Sequence, residues 1–166
     1  MILVTLGTHP QPMSRITPAL ERIARELPQL GPFHAQLGTT RSPSGWVPHA
    51  MMPSTELAEM IAAADVVITH GGPATIAQVR SAGRVPIVIP RRSAAGEHVD
   101  DHQVHYASRL AAAKEILLVE DEWSLPDVVI GYPSLVEALP APAAHDPASA
   151  IGALGSIAAR LLSGAR

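Results

Sequence analysis

Apolar residues along the chain fall into two alternating patterns. Met1–Leu6 is a continuous apolar, β-branched run closed by Gly7, as expected of a strand covered on both faces. Ser14 is a candidate cap for the next segment, in which Ile16, Leu20, Ile23, Ala24 and Leu27 recur at helical spacing until Pro28. Phe33–Leu37 reads as a second strand, Gly38–Gly45 as a Thr/Ser/Pro-rich loop, and Val47–Met51 as a third strand. Ser54 then caps a helix through Leu57, Met60, Ile61 and Ala64, and Asp65–Thr69 is another β-branched run.

The alternation continues. Pro73 suits the first turn of a helix that runs to Ala82 with Gly83 as its stop, and Val85–Ile89 is the next strand. After the polar loop Arg91–Asp101, a helix to about Lys114 leads into the strand Ile116–Val119. Strands alternating with helices predict an α/β fold, a doubly wound, Rossmann-like parallel sheet with right-handed crossovers. From residue 120 the character changes. Pro126, Pro133, Pro140, Pro142 and Pro147 punctuate the stretch, and Ile151, Leu154, Ile157, Leu161 and Leu162 mark a terminal amphipathic helix. The expected organisation is one domain over 1–166, with an α/β core at 1–119 and a Pro/Ala-rich extension with a terminal helix at 120–166.

Composition narrows the functional classes. Aromatics are 3% of the 166 residues, so the core must be built from Ala, Val, Ile and Leu. A formal net charge of -3 offers no excess of cations for a polyanion, and no basic patch stands out, which argues against nucleic acid as a partner. The absence of cysteine excludes a disulfide framework and fits a reducing compartment. With neither a signal-like start nor an apolar run of about 20 residues, the expectation is a cytoplasmic protein without a membrane span.

In open parallel sheets ligands bind beyond the carboxyl ends of the strands, so the residues just after each strand are the candidates for chemistry. Gly7-Thr8-His9 follows the first strand, and His70-Gly71-Gly72-Pro73-Ala74-Thr75 follows the fourth. In the second motif the glycines allow a phosphate close to the backbone, and the helix that starts near Pro73 offers free N–H groups and the positive end of its dipole. Thr75 and His70 add hydrogen-bonding side chains. An ordinary strand-turn-helix junction also favours glycine, so either motif alone is weak and the pair is stronger. No Walker sequence is present and no G-x-G-x-x-G follows the first strand.

The loop Gly96–Gln103 is dense in polar side chains that suit sugar hydroxyls, among them Glu97, Asp101, His102 and Gln103. Two other readings compete. One is a solvated helix start in which Asp100 and Asp101 face the dipole. The other is a metal site built from His98, Asp100, His102 or His105, although no pair forms a known metalloenzyme motif and no metal or other cofactor is expected. His9 is the most available general base.

Taken together, Thr69-His70-Gly71-Gly72-x-x-Thr75, Ala82-Gly83-x-x-Pro86 with Pro90, and Gln103 resemble the C-terminal, donor-binding half of GT-B glycosyltransferases, specifically the family 28 C-terminal domain. The likeness runs from Met1 to about Val119. It implies that Gly7, Thr8, His70, Gly72 and Thr75 contact the diphosphate of a nucleotide sugar. It further implies that His102 and Gln103 read the sugar, and that backbone near Met52 and Pro53 flanks the base, with uracil expected. Where the family has an acidic residue for the ribose, this chain has Gln78, an uncharged departure. The resemblance extends to small subunits of split transferases, bacterial exopolysaccharide enzymes above all, in which a membrane-associated partner binds a lipid-linked acceptor. An epimerase-like enzyme and a non-catalytic nucleotide-sugar-binding module remain as rivals.

Overall fold

A computed structural model describes residues 1–49 and 51–140. Six parallel strands form one sheet: β1 (Ile2–Thr5), β2 (Phe33–Gln36), β3 (Val47–His49), β4 (Val66–Thr69), β5 (Ile87–Val88) and β6 (Leu117–Leu118). Their spatial order is β3-β2-β1-β4-β5-β6. The connecting helices are α1 (Thr17–Glu26), α2 (Ser54–Ala63), α3 (Pro73–Ser81) and α4 (His102–Ala112), and α5 (Leu125–Glu137) follows β6. This is the doubly wound α/β fold expected from the alternation.

The unbroken apolar runs exist because the central strands are covered twice. Ile2 and Val4 of β1 and Leu6 just after it enter a core shared with Leu20 and Ile23 of α1 and with Val129 of α5. Leu3 points the other way and packs with Ile61 of α2, Val67 of β4 and Val79 of α3. A third cluster joins Ile76 of α3, Val88 of β5 and Ala107 of α4. Period-two alternation therefore separates two apolar faces instead of an apolar and a polar one.

Several local expectations are adjusted. Ser14 opens a short 3-10 turn (Ser14–Ile16), and α1 starts after it without a side-chain cap. Ser54 is the first residue of α2, and Pro53 stands in the cap position. The third strand is cut to Val47–His49, an exposed edge where Pro48 has no donor to offer a further neighbour. Gly83, with φ +73°, ends α3 as expected: its N–H reaches Arg80 O (2.9 Å) and that of Arg84 reaches Val79 O (3.2 Å).

Helix α5 is the element that the proline pattern concealed. Pro126 lies in its first turn, where no amide donor is needed, and Pro133 sits within it. Its Leu125, Val129 and Tyr132 are buried, and the Tyr132 hydroxyl donates to Val85 O at 2.7 Å. The terminal amphipathic helix expected around Ile151–Leu162 lies outside the described residues. Among the described residues, no helix is long and apolar enough to cross a membrane.

Candidate functional site

The sheet order reverses direction between β1 and β4, the switch point at which open α/β sheets leave a crevice. Both glycine motifs emerge there, because β1 and β4 are neighbours paired from Ile2–Val66 to Thr5–Thr69. Gly7 takes a left-handed conformation (φ +70°) that turns the chain off the end of β1. Gly72 has an ordinary φ of -71° and forms the cap of α3. No side chain caps this helix, and Thr75 in its first turn is partly exposed.

What joins the two turns is the imidazole of His70. A Cβ built on Gly7 would lie 2.9 Å from His70 Cε1, and one built on Gly72 would fall closest to Nε2 and 2.9 Å from Cε1. The ring is thus held between two glycines, and any side chain on either would collide with it. His70 is 9% exposed, and its Nδ1 lies 3.5 Å from Thr5 O. Burial lowers its pKa from 6.5 to about 4, with the nearby Arg91 charge adding to the effect, so the ring is neutral near pH 7. Gly71 is equally confined, since a Cβ there would sit 2.8 Å from Gln103 Cβ.

Two arginines that sequence reasoning missed hold the surrounding loops. Arg91, three residues past the end of β5, is fully buried and donates to Leu6 O (2.9 Å), Glu97 O (3.1 Å) and Gln11 O. Its guanidinium thereby ties the loop after β1 to the loop after β5, and its Nε has no partner. Arg15 pairs with Glu97 (2.9 Å) and Glu122 (2.8 Å) and donates to Pro90 O (2.8 Å). No motif signals either arginine. An arginine after an apolar strand looks like the first residue of a solvated loop.

The polar loop divides into internal and outward residues. Glu97 is 2% exposed; besides Arg15, its carboxylate accepts from the Arg92 amide at 3.1 Å. Asp101 accepts from both the amide and the hydroxyl of Ser93, each at 2.8 Å, which lowers its pKa. Gln103 is buried, and its Oε1 accepts from the Arg91 amide at 3.3 Å. His102 is half exposed and contacts Asp100. His9 stacks on His98 with ring centroids 4.5 Å apart, and burial followed by the charges of His98 and Arg91 lowers its pKa. Thr8 and Pro53 are exposed, Met52 is buried, and Gln78 is partly exposed on α3.

Two cavities lie at opposite ends of the sheet. One of about 280 Å³, lined by Leu37, Gly38, Thr40 and His49 among others, lies at the carboxyl end of β2 and β3. It adjoins the first turn, since a Cβ on Gly38 would sit 2.9 Å from Gly7 O. A larger one of about 520 Å³, lined by Met1, Gly31, Asp65 and Tyr132 among others, opens at the opposite end of the sheet and is remote from both glycine turns.

A doubly wound sheet with two glycine turns at its switch point defines a Rossmann-like α/β domain. Residues 29–128 match the glycosyltransferase family 28 C-terminal domain, and the chain belongs to that family. No curated protein matches it in sequence. Among solved structures it is similar to the glycotransferase of kitacinnamycin (TM-score 0.56, 21% identity, covering 89% of this chain and 35% of that one). It is also similar to SnogD from Streptomyces nogalater, a glycosyltransferase (0.52, 18%, 95% and 43%). A third is UDP-GlcNAc 2-epimerase from Neisseria meningitidis bound to UDP-GlcNAc (0.57, 13%, 85% and 39%). At these identities the likeness is one of fold, and the chain spans about two fifths of the length of these structures.

Proposed function

We propose that this domain binds the nucleotide-sugar donor of a glycosyl transfer reaction, a UDP-sugar, and acts with a partner subunit that binds the acceptor. The observation that carries the reading is the meeting of the Gly7 and Gly72 turns across His70, beside the uncapped start of α3. Backbone amides of the two turns and the Thr75 hydroxyl take the diphosphate, and the base lies toward Met52 and Pro53 and the adjoining cavity. Gln78 offers an amide to the ribose, and His102 and Gln103 offer polar atoms to the sugar. Glu97 and Asp101 serve this site indirectly, by holding Arg15 and Ser93.

In the reaction an acceptor hydroxyl attacks the anomeric carbon, the bond from that carbon to the diphosphate oxygen breaks, and the diphosphate departs with the electron pair. Amides at the start of α3 stabilise the charge that develops on it, and this stabilisation needs no metal. The acceptor proton goes to a base, for which His9, held neutral, is the candidate on this chain. The partner is a membrane-associated subunit that presents a lipid-linked acceptor at the cytoplasmic face. The isolated chain therefore binds donor and transfers poorly.

Calorimetry with UDP-, GDP- and dTDP-sugars tests the reading. UDP-sugars bind best, and Thr75→Val weakens them several-fold without altering the circular dichroism spectrum. Failure of all three nucleotides to bind, or full affinity in both Thr75→Val and Gly72→Val, would overturn it. Release of an epimer without acceptor would favour the epimerase-like alternative, whose fold this domain also shares.

A further inference from the structure

One cluster beside the donor site is only partly used by the donor reading, which calls on His102 alone. His98, Asp100 and His102 alternate along the loop before α4, and one ligand atom from each lies within 4.8 Å of the others. The intervening residues turn away: Val99 is 78% exposed and Asp101 is bound to Ser93. His98 is fixed on two sides, by the stack on His9 at 4.5 Å and by the edge-on ring of His102 at 4.6 Å.

The three side chains gather about one carboxylate oxygen. His98 Nδ1 lies 3.4 Å from Asp100 Oδ1, and the same oxygen accepts from the His102 amide at 3.1 Å and makes a very close contact to His102 Nδ1. Two imidazoles and one carboxylate suit zinc and its neighbours rather than calcium or magnesium.

We propose that His98 Nδ1, Asp100 Oδ1 and His102 Nδ1 form a three-ligand site for a zinc-class divalent ion, with the fourth position open to water. The ion fastens the loop between Glu97 and Gln103 to the start of α4 and takes no part in transfer. The inference does not depend on the donor reading, because metal binding is measured without nucleotide. Zinc titrated into the metal-free chain by calorimetry binds at one equivalent, and cobalt(II) gives the visible absorption of a tetrahedral complex. His98→Ala and His102→Ala each weaken zinc by about tenfold or more, whereas His105→Ala leaves it unchanged. A His34→Ala/His49→Ala variant, which removes the other close histidine pair (2.9 Å), also binds normally. Absence of saturable binding, or wild-type affinity in the double variant His98→Ala/His102→Ala with an unchanged circular dichroism spectrum, overturns the proposal.

Discussion

Substituting alanine for Gly72 separates two reasons for glycine at that position. Its φ of -71° and ψ of 121° are comfortable for alanine, so the backbone itself raises no objection. The obstacle is the His70 ring, whose Cε1 would be 2.9 Å and Cδ2 3.1 Å from the new methyl, with Nε2 closer still. The ring cannot withdraw, because it is 9% exposed and lies against Gly7 on its other side. Overpacking of this kind costs about 1–3 kcal/mol. In a His70→Ala background the same change becomes favourable by about 0.4–1 kcal/mol, since it only restricts the unfolded chain. Gly7→Ala behaves differently, because its left-handed φ of +70° still costs about 1–2 kcal/mol once the ring is gone. Urea unfolding at pH 7, followed by the fluorescence of buried Trp46, measures each term of the double-mutant cycle. An equal cost of Gly72→Ala in both backgrounds would refute the role given to the His70 ring.

Three further outcomes follow from the buried ionisable groups. Arg15→Ala strands the carboxylate of Glu97 and lowers stability by about 3–5 kcal/mol in urea unfolding, and adding Glu97→Gln recovers part of the loss. Arg91→Lys keeps the charge but cannot reproduce a fork that reaches three carbonyls; the unfolding midpoint drops by an amount equivalent to about 1–3 kcal/mol. His70 binds its proton less readily folded (about 4) than unfolded (6.5), so its contribution is complete above pH 6.5 and is lost as the pH falls toward 4. Wild type should lose up to about 3 kcal/mol more than His70→Asn across that window, and the imidazole should titrate near pH 4 by NMR.

The sheet was legible because its central strands are buried on both faces, which leaves continuous β-branched runs such as Met1–Leu6 and Asp65–Thr69 in the sequence. The convergence of Gly7 and His70–Thr75 was legible as well, since it follows from strand ends meeting at a switch point. Helix α5 was hidden by Pro126 and Pro133, which look like breakers to a reader who cannot know that one falls in a first turn. The parts played by Arg91 and Arg15 depend on carbonyls and carboxylates up to 107 residues away, and no local pattern records such pairings. His70 shows the same limit. Its position was legible, but its burial between two glycines belongs to the assembled structure.

Helix α5 bears on how the domain must be produced. Its Leu125, Val129 and Tyr132 fill the same core as Ile2 and Val4, and the Tyr132 hydroxyl closes on the backbone just before β5. A shortened recombinant version ending after β6 would expose that seam to solvent and should be recovered as insoluble aggregate, whereas one that retains residues through 140 keeps the seam sealed.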